Sequence, residues 1–139
     1  ELKGKEYKRV VLLFGLNEMG WPSAANFCNE YKKLIQKIQE YEPGIPVYVL
    51  SITPITATAS SRGDNGATNP RIMDYNEAIK KMLNDMTGVY YVDIWSLIID
   101  KDCCLPEDKA AKIDGIHPLP ITAGEWIDII RNEIGKIEN

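Results

Sequence analysis

Apolar residues along this chain follow two alternating rhythms. Short continuous runs are separated by longer stretches in which apolar positions recur every three or four residues. The first run, Val10-Val11-Leu12-Leu13-Phe14, is of the kind that forms a strand buried on both faces of a parallel sheet. It runs into Gly15-Leu16-Asn17-Glu18-Met19-Gly20-Trp21, so polar side chains follow directly on the strand's carboxyl end. Ser23 then predicts a helix cap, and Phe27, Cys28, Tyr31, Leu34, Ile35 and Ile38 form one stripe of a helix reaching about Tyr41. Glu42-Pro43-Gly44 ends that helix, and Pro46 to Ile52 reads as a second buried strand broken by Thr53-Pro54.

From Thr53 to Asn69 the chain is rich in Thr, Ser, Ala and Gly without periodicity, which predicts a long loop, a rim or lid at the carboxyl end of the second strand. Its Arg62-Gly63-Asp64 matches an adhesion tripeptide, a match of a length that arises by chance. Asn69 is the expected cap of the next helix, with Pro70 in its first turn and Ile72, Tyr75, Ile79, Met82, Leu83 and Met86 on one face. After Gly88, Val89 to Asp93 reads as a third strand and Ile94 to Ile99 as a short helix. Thr122-Ala123-Gly124-Glu125 has the form of a capping box, opening a last helix that buries Trp126, Ile127, Ile130, Ile134 and Ile137. Strands alternating with helices predict an α/β fold, a parallel sheet with helices on both faces. Ligands of such sheets bind at the carboxyl ends of the strands.

Length and charge narrow the classes. The 139 residues fit one domain, and 45% hydrophobic with 26% charged residues is an ordinary globular balance. A net charge of −4 gives no electrostatic basis for binding nucleic acid or an anionic membrane. No apolar run approaches the roughly 20 residues that a membrane-spanning helix needs. The sequence starts at Glu1 and reaches a buried-type strand by Val10, the expected look of a piece of a longer polypeptide.

Candidate chemistry concentrates at Asp114-Gly115-Ile116-His117-Pro118, which holds the only histidine of the chain. A carboxylate three residues before an imidazole can fix its tautomer and leave the second ring nitrogen free to move a proton. Gly115 permits a tight turn, and Pro118 biases His117 toward extended backbone; the same residues also fit a solvated surface turn. Asn17, just past the first strand, can offer its amide to an oxyanion or simply cap the turn. Trp21 can stack on a sugar or acyl group or pack against the long loop. Ser51, at the end of the second strand, is either a structural hydroxyl or a stand-in nucleophile. The three cysteines, Cys28, Cys103 and Cys104, cannot all pair within one chain. Cys28 falls on the apolar stripe of its helix as a buried thiol, a disulfide between Cys103 and Cys104 would be strained, and Cys103 is the thiol that His117 could conceivably serve. With one histidine and no Cys-x-x-Cys spacing, no metal site is expected.

These residues resemble the SGNH, or GDSL-type, ester hydrolases. The third block of that family, Gly-x-Asn-Asp after a buried strand, is matched by Gly15-Leu16-Asn17-Glu18 with Glu in place of the last Asp, and its fifth block, Asp-Gly-x-His-Pro, by Asp114 to Pro118. The resemblance implies a three-layer, flavodoxin-like sheet with strand order 2-1-3-4-5. It makes residues 1–139 the carboxyl-terminal part of a single such domain, with the amino-terminal strands missing. It implies His117 as general base, Asp114 as its orienting carboxylate, and Asn17 with Gly15 at the oxyanion site, with no cofactor. The family's Gly-Asp-Ser block is absent, and so is the second block, whose glycine supplies a backbone N–H, so no residue of this chain inherits the nucleophile. The implied activity is hydrolysis of a small ester, such as an O-acylated carbohydrate, by Ser-His-Asp acyl transfer, and the isolated chain is expected to be inactive. The rival is a non-catalytic binding module that keeps the fold. Either way, Val10 to Phe14 would present an open apolar edge, expected to be covered by a missing amino-terminal segment or by a second copy of the chain.

Overall fold

Residues 7–139 are described by a computed structural model. Strands β1 (Val10–Leu12), β2 (Val47–Leu50) and β3 (Val89–Val92) pair in parallel and lie in chain order. The alternation of strand side chains sorts them into two cores. Leu12, Val47, Val49 and Val89 pack with α1 (Ala24–Tyr41) and a later helix over Asn69–Leu83, whereas Tyr48, Leu50 and Val92 pack with Ile134 of the helix Pro120–Glu138. The intervening short helices cover Ala57–Arg62 and Trp95–Ile98, so in chain order the helices are α1, α2 (Ala57–Arg62), α3 (Asn69–Leu83), α4 (Trp95–Ile98) and α5 (Pro120–Glu138). The result is the expected three-layer arrangement, with α1 and α3 on one face of the sheet and α5 on the other.

β2 is central and fully buried, each of its apolar side chains contributing about 1.5–3 kcal/mol. The edge strand β1 departs from expectation. It stops at Leu12, only Leu12 is buried, and Val11, Leu13 and Phe14 remain 42–46% exposed. The reason lies in tertiary placement: β1 pairs only with β2 among the described residues, and α5 packs against β3 rather than β1.

The stretch after β2 is a correction too. It is not a featureless loop: Thr56 caps α2 by accepting from the Ala59 amide, and a 3-10 turn follows at Asp64–Gly66. The cap of α3 is Thr68, which accepts from the Arg71 amide, rather than Asn69. Asn69 is buried and used differently: its Oδ1 accepts from Ile55 N at 3.0 Å and its Nδ2 donates to Ile55 O at 2.8 Å. One face-repeat along α3, Asn76 does the same to Ile52, at 2.7 and 3.0 Å. Two side-chain amides thus serve as hydrogen-bond partners for the segment that leaves β2 beyond the last pairs with β1 and β3.

At α5 the expected capping box is not formed. Pro120 occupies the first turn, the cap position is Leu119 without a side-chain bond, and Thr122 and Glu125 lie inside the helix. Ile134 is buried, with Ile129 and Ile130 partly buried beside it, while Ile127 and Ile137 face outward. The α5 end is moored by Glu138, which accepts from Tyr48 Oη at 3.0 Å and pairs with Arg9 at 3.0 Å.

Because both backbone groups of Ile52 depend on one side chain, Asn76→Ala is expected to lower unfolding free energy by about 3 kcal/mol. Lys33→Ala, which removes an exposed pair with Glu30, should change it by less than about 0.5 kcal/mol. Urea denaturation of the two variants measures both.

Candidate active site

Asp114 and His117 sit on a short hairpin. Ala111 N donates to His117 O at 2.7 Å, Leu119 N donates to Lys109 O at 2.9 Å, and Ala110 pairs with Pro118. Gly115 has φ +70, a region that side-chain-bearing residues resist, and a Cβ there would run into Thr56 Oγ1. Its carbonyl accepts from Thr56 N at 2.9 Å. The hairpin is therefore docked on the start of α2, just beyond the carboxyl end of β2.

The Asp114 carboxylate organises its own loop. Oδ1 accepts from the amides of Ile116 at 2.7 Å and His117 at 3.0 Å, and Oδ2 meets His117 Nδ1 at 2.8 Å. The Ile116 amide, followed by the side chain and amide of His117, outweighs partial burial and pulls the Asp114 carboxyl down to about 2. An ionised carboxylate only accepts, so the proton of the contact belongs on Nδ1. Nε2 is then left with its lone pair, on an imidazole whose side chain is 78% exposed.

The second motif leaves β1 through Gly15, at φ +126 and packed so closely on Ile52 that a Cβ would overlap its side chain. The Glu18 carboxylate accepts from Gly15 N at 3.0 Å, which closes the turn and occupies the amide of Gly15. Asn17 opens the following 3-10 turn, Asn17–Gly20, and is exposed. A cleft of about 230 Å³ lies here, lined by Leu13, Phe14, Gly15, Asn17, Ile52 and Thr53.

The α2 segment joins the two motifs. Arg62 Nη2 donates to Asp114 O at 2.5 Å, while Asn65 Nδ2 donates to Asn17 O at 3.2 Å. Asp114, His117 and Asn17 thus share the carboxyl-terminal edge of the sheet, with Asp114 and His117 in direct contact and Asn17 linked through residues 62–65. The Arg-Gly-Asp tripeptide is spent internally, Arg62 pairing with Asp64 at 2.8 Å. Trp21 packs edge-on against Phe27, ring centroids 6.3 Å apart, and its carbonyl accepts from Arg71 Nη2 at 2.7 Å. Sequence reasoning passed over Thr56 and Asn65 and met Arg62 only as part of a chance tripeptide, because the roles of all three rest on contacts with residues about 50 to 60 positions away.

Ser51 is fully buried, and its Oγ accepts from the amides of Ile94 at 3.0 Å and Trp95 at 2.8 Å; it ties β2 to α4. Cys28 is buried in the core, with its thiol pushed up by burial. Cys104 receives a hydrogen bond from Asn69 at 3.2 Å, Cys103 is exposed, and all three thiols are free. Among the described residues no group of three or more His, Cys, Asp or Glu side chains is arranged to hold a metal ion. No described helix is long and apolar enough to cross a membrane.

Solved structures share this fold, two of them over nearly the whole of this chain. One, from Streptococcus pneumonia and named for platelet activating factor, superposes with a TM-score of 0.83 at 20% identity, over 93% of this chain and 60% of its own. The other, a GDSL-like lipase of Bacteroides thetaiotaomicron, gives 0.68 at 18% identity, over 94% and 61%. The chain therefore spans about three-fifths of the length of either structure. No curated protein matches it. Residues 1–121 match the GDSL-like lipase/acylhydrolase family, and with most of its sequence inside that match the chain belongs to this family of hydrolases.

Proposed function

We propose that this chain carries the histidine, aspartate and oxyanion part of a Ser-His-Asp ester hydrolase acting on small esters, O-acylated carbohydrates among them. The observation supporting it most is the 2.8 Å contact of His117 Nδ1 with Asp114 Oδ2, on the sheet edge that also holds Asn17. In this reading His117 Nε2 takes the proton of an attacking serine hydroxyl as its oxygen bonds to the ester carbonyl carbon. The imidazolium then returns that proton to the departing alcohol, and water repeats the cycle on the acyl-enzyme. Asp114 stays ionised throughout, and the Asn17 amide donates to the tetrahedral oxyanion. Gly15 shapes the turn, since its amide is engaged by Glu18. Trp21 borders the acyl or sugar side.

We place the nucleophile on residues outside this sequence, because Ser51 is buried and committed to two amides. The same outside segment, or a second copy of the chain, would cover Val11, Leu13 and Phe14 along the β1 edge. Without the nucleophile the chain would act at most as a binding module.

Three expectations follow from these assignments. The coding sequence upstream of Glu1 should contain Gly-Asp-Ser after a short apolar strand; its absence would overturn the catalytic reading in favour of a binding module. In the polypeptide that includes it, His117→Ala should lower turnover of p-nitrophenyl acetate by at least about 10³-fold and Asp114→Asn by about 10²–10⁴-fold. The chain without it should show no turnover that His117→Ala abolishes.

Asp114 should also titrate, by carboxyl carbon NMR, near 2 rather than its ordinary 3.8. A carboxyl lowered in the folded state stabilises fully above 3.8, and that stabilisation is lost as pH falls through about 2. A midpoint near 4 would show that the amides of Ile116 and His117 do not hold the carboxylate in solution.

A further inference from the structure

The segment between β2 and α3 grips both motif loops at once. At the head of α2, Thr56 N donates to the Gly115 carbonyl at 2.9 Å, and from its last residue Arg62 Nη2 donates to the Asp114 carbonyl at 2.5 Å. Two successive carbonyls of the histidine loop are thus held from opposite ends of one short helix. Arg62 is itself steadied by Asp64, Nε to Oδ2 at 2.8 Å. It bonds the backbone of Asp114 and not the carboxylate, whose partners are Ile116 and His117. Its effect on the loop is therefore one of placement.

Three residues on, the chain meets the other loop. Asn65 Nδ2 donates to Asn17 O at 3.2 Å, and a Cβ on Gly20 would run into Asn65 Oδ1. A Cβ on Gly66 would stand 3.0 Å from the Met19 carbonyl. The turns Asn17–Gly20 and Asp64–Gly66 therefore lie together with no space for a side chain at either glycine. Asn65 reaches this contact from left-handed backbone, φ +51, which asparagine tolerates better than most residues.

We propose that Arg62 and Asn65 are positioning residues of the acyl-transfer site, setting through the segment 62–65 where the His117 imidazole stands relative to the Asn17 amide. The proposal rests on the hydrolase reading, which gives proton transfer and the oxyanion to those two side chains. A misplacement of about 1 Å between groups that act together can cost about 10²-fold in rate. Because neither residue touches the reacting atoms, substrate binding should change little.

Amide hydrogen exchange on this chain tests the placement. Arg62→Met should speed exchange at Ile116 and His117 by at least about fivefold. Asn65→Gly, which keeps the left-handed backbone, should do the same at Trp21, whose amide closes the Asn17–Gly20 turn on the Glu18 carbonyl. Ile52, held by Asn76 in the core, should exchange as before, which separates local placement from a general loss of stability. Both substituted side chains are exposed, so the fold should survive either change.

In the polypeptide that includes the upstream sequence, both variants should lower kcat for p-nitrophenyl acetate by at least about tenfold, with KM within about twofold. Arg62→Lys keeps a donor and should recover most of the loss, and Gly20→Ala should mimic Asn65→Gly and add little to it, since both disrupt one contact. Unchanged exchange at a loop would overturn the role of the residue that holds it. Unchanged kcat where His117→Ala abolishes turnover would overturn the proposal and leave the hydrolase reading standing. Turnover that survives His117→Ala would overturn that reading, and the proposal with it.

Discussion

Two asparagine side chains on α3 carry the part of the structure on which the site depends. Where β2 ends, its backbone loses its strand neighbours, yet the amides and carbonyls of Ile52 and Ile55 are buried and must be paired. Asn76 and Asn69 supply both partners for each. The chain leaving β2 is thereby held along α3 until Thr56, where α2 starts. Everything that joins the two motif loops hangs from that point: Thr56 on the Gly115 carbonyl, Arg62 on Asp114, and Asn65 on Asn17.

Each motif loop also satisfies itself before it meets the other. At the β1 exit, Glu18 reaches back to the Gly15 amide, so glutamate performs with one more methylene the loop-closing task that a shorter carboxylate could perform. At the hairpin, Asp114 accepts from two amides and one imidazole. The same bonds that fold this turn hold the carboxylate charged and orient the ring. Local folding and the electrostatics of the site are one set of contacts here, which is why so exposed an imidazole is nonetheless aligned.

The two faces of the sheet are unequally covered. α1 and α3 span the face carrying Leu12, Val49 and Val89, whereas α5 serves β3 and β2 and leaves Val11 in the open. Tyr48 and Tyr90 stack at 5.3 Å on that second face, and Tyr48 ends on Glu138. Such a surface is apolar at β1 and aromatic at β3, with α5 moored at its far end by the Tyr48–Glu138–Arg9 contacts.

Periodicity alone determined the three strands, the long helices α1 and α3 and the layered α/β class, because runs of β-branched residues and stripes repeating every three or four positions have few other ways to be buried. The motif spacing likewise singled out Asp114, His117 and Asn17, since a carboxylate three residues from an imidazole needs only a local turn to meet it. Tertiary structure decided the rest. Asn69 reads as a cap until the buried backbone of Ile55 competes for its amide, and Thr68 takes the cap instead. Thr122 and Glu125 read as a capping box until Pro120 starts the helix earlier and Lys109 claims the glutamate. β1 reads as buried on both faces because its composition is that of a central strand, but exposure depends on neighbours that no local pattern encodes. The bridge from Arg62 to Asp114 and from Asn65 to Asn17 spans about 50 residues each way, and contacts of that range leave no trace in a single sequence.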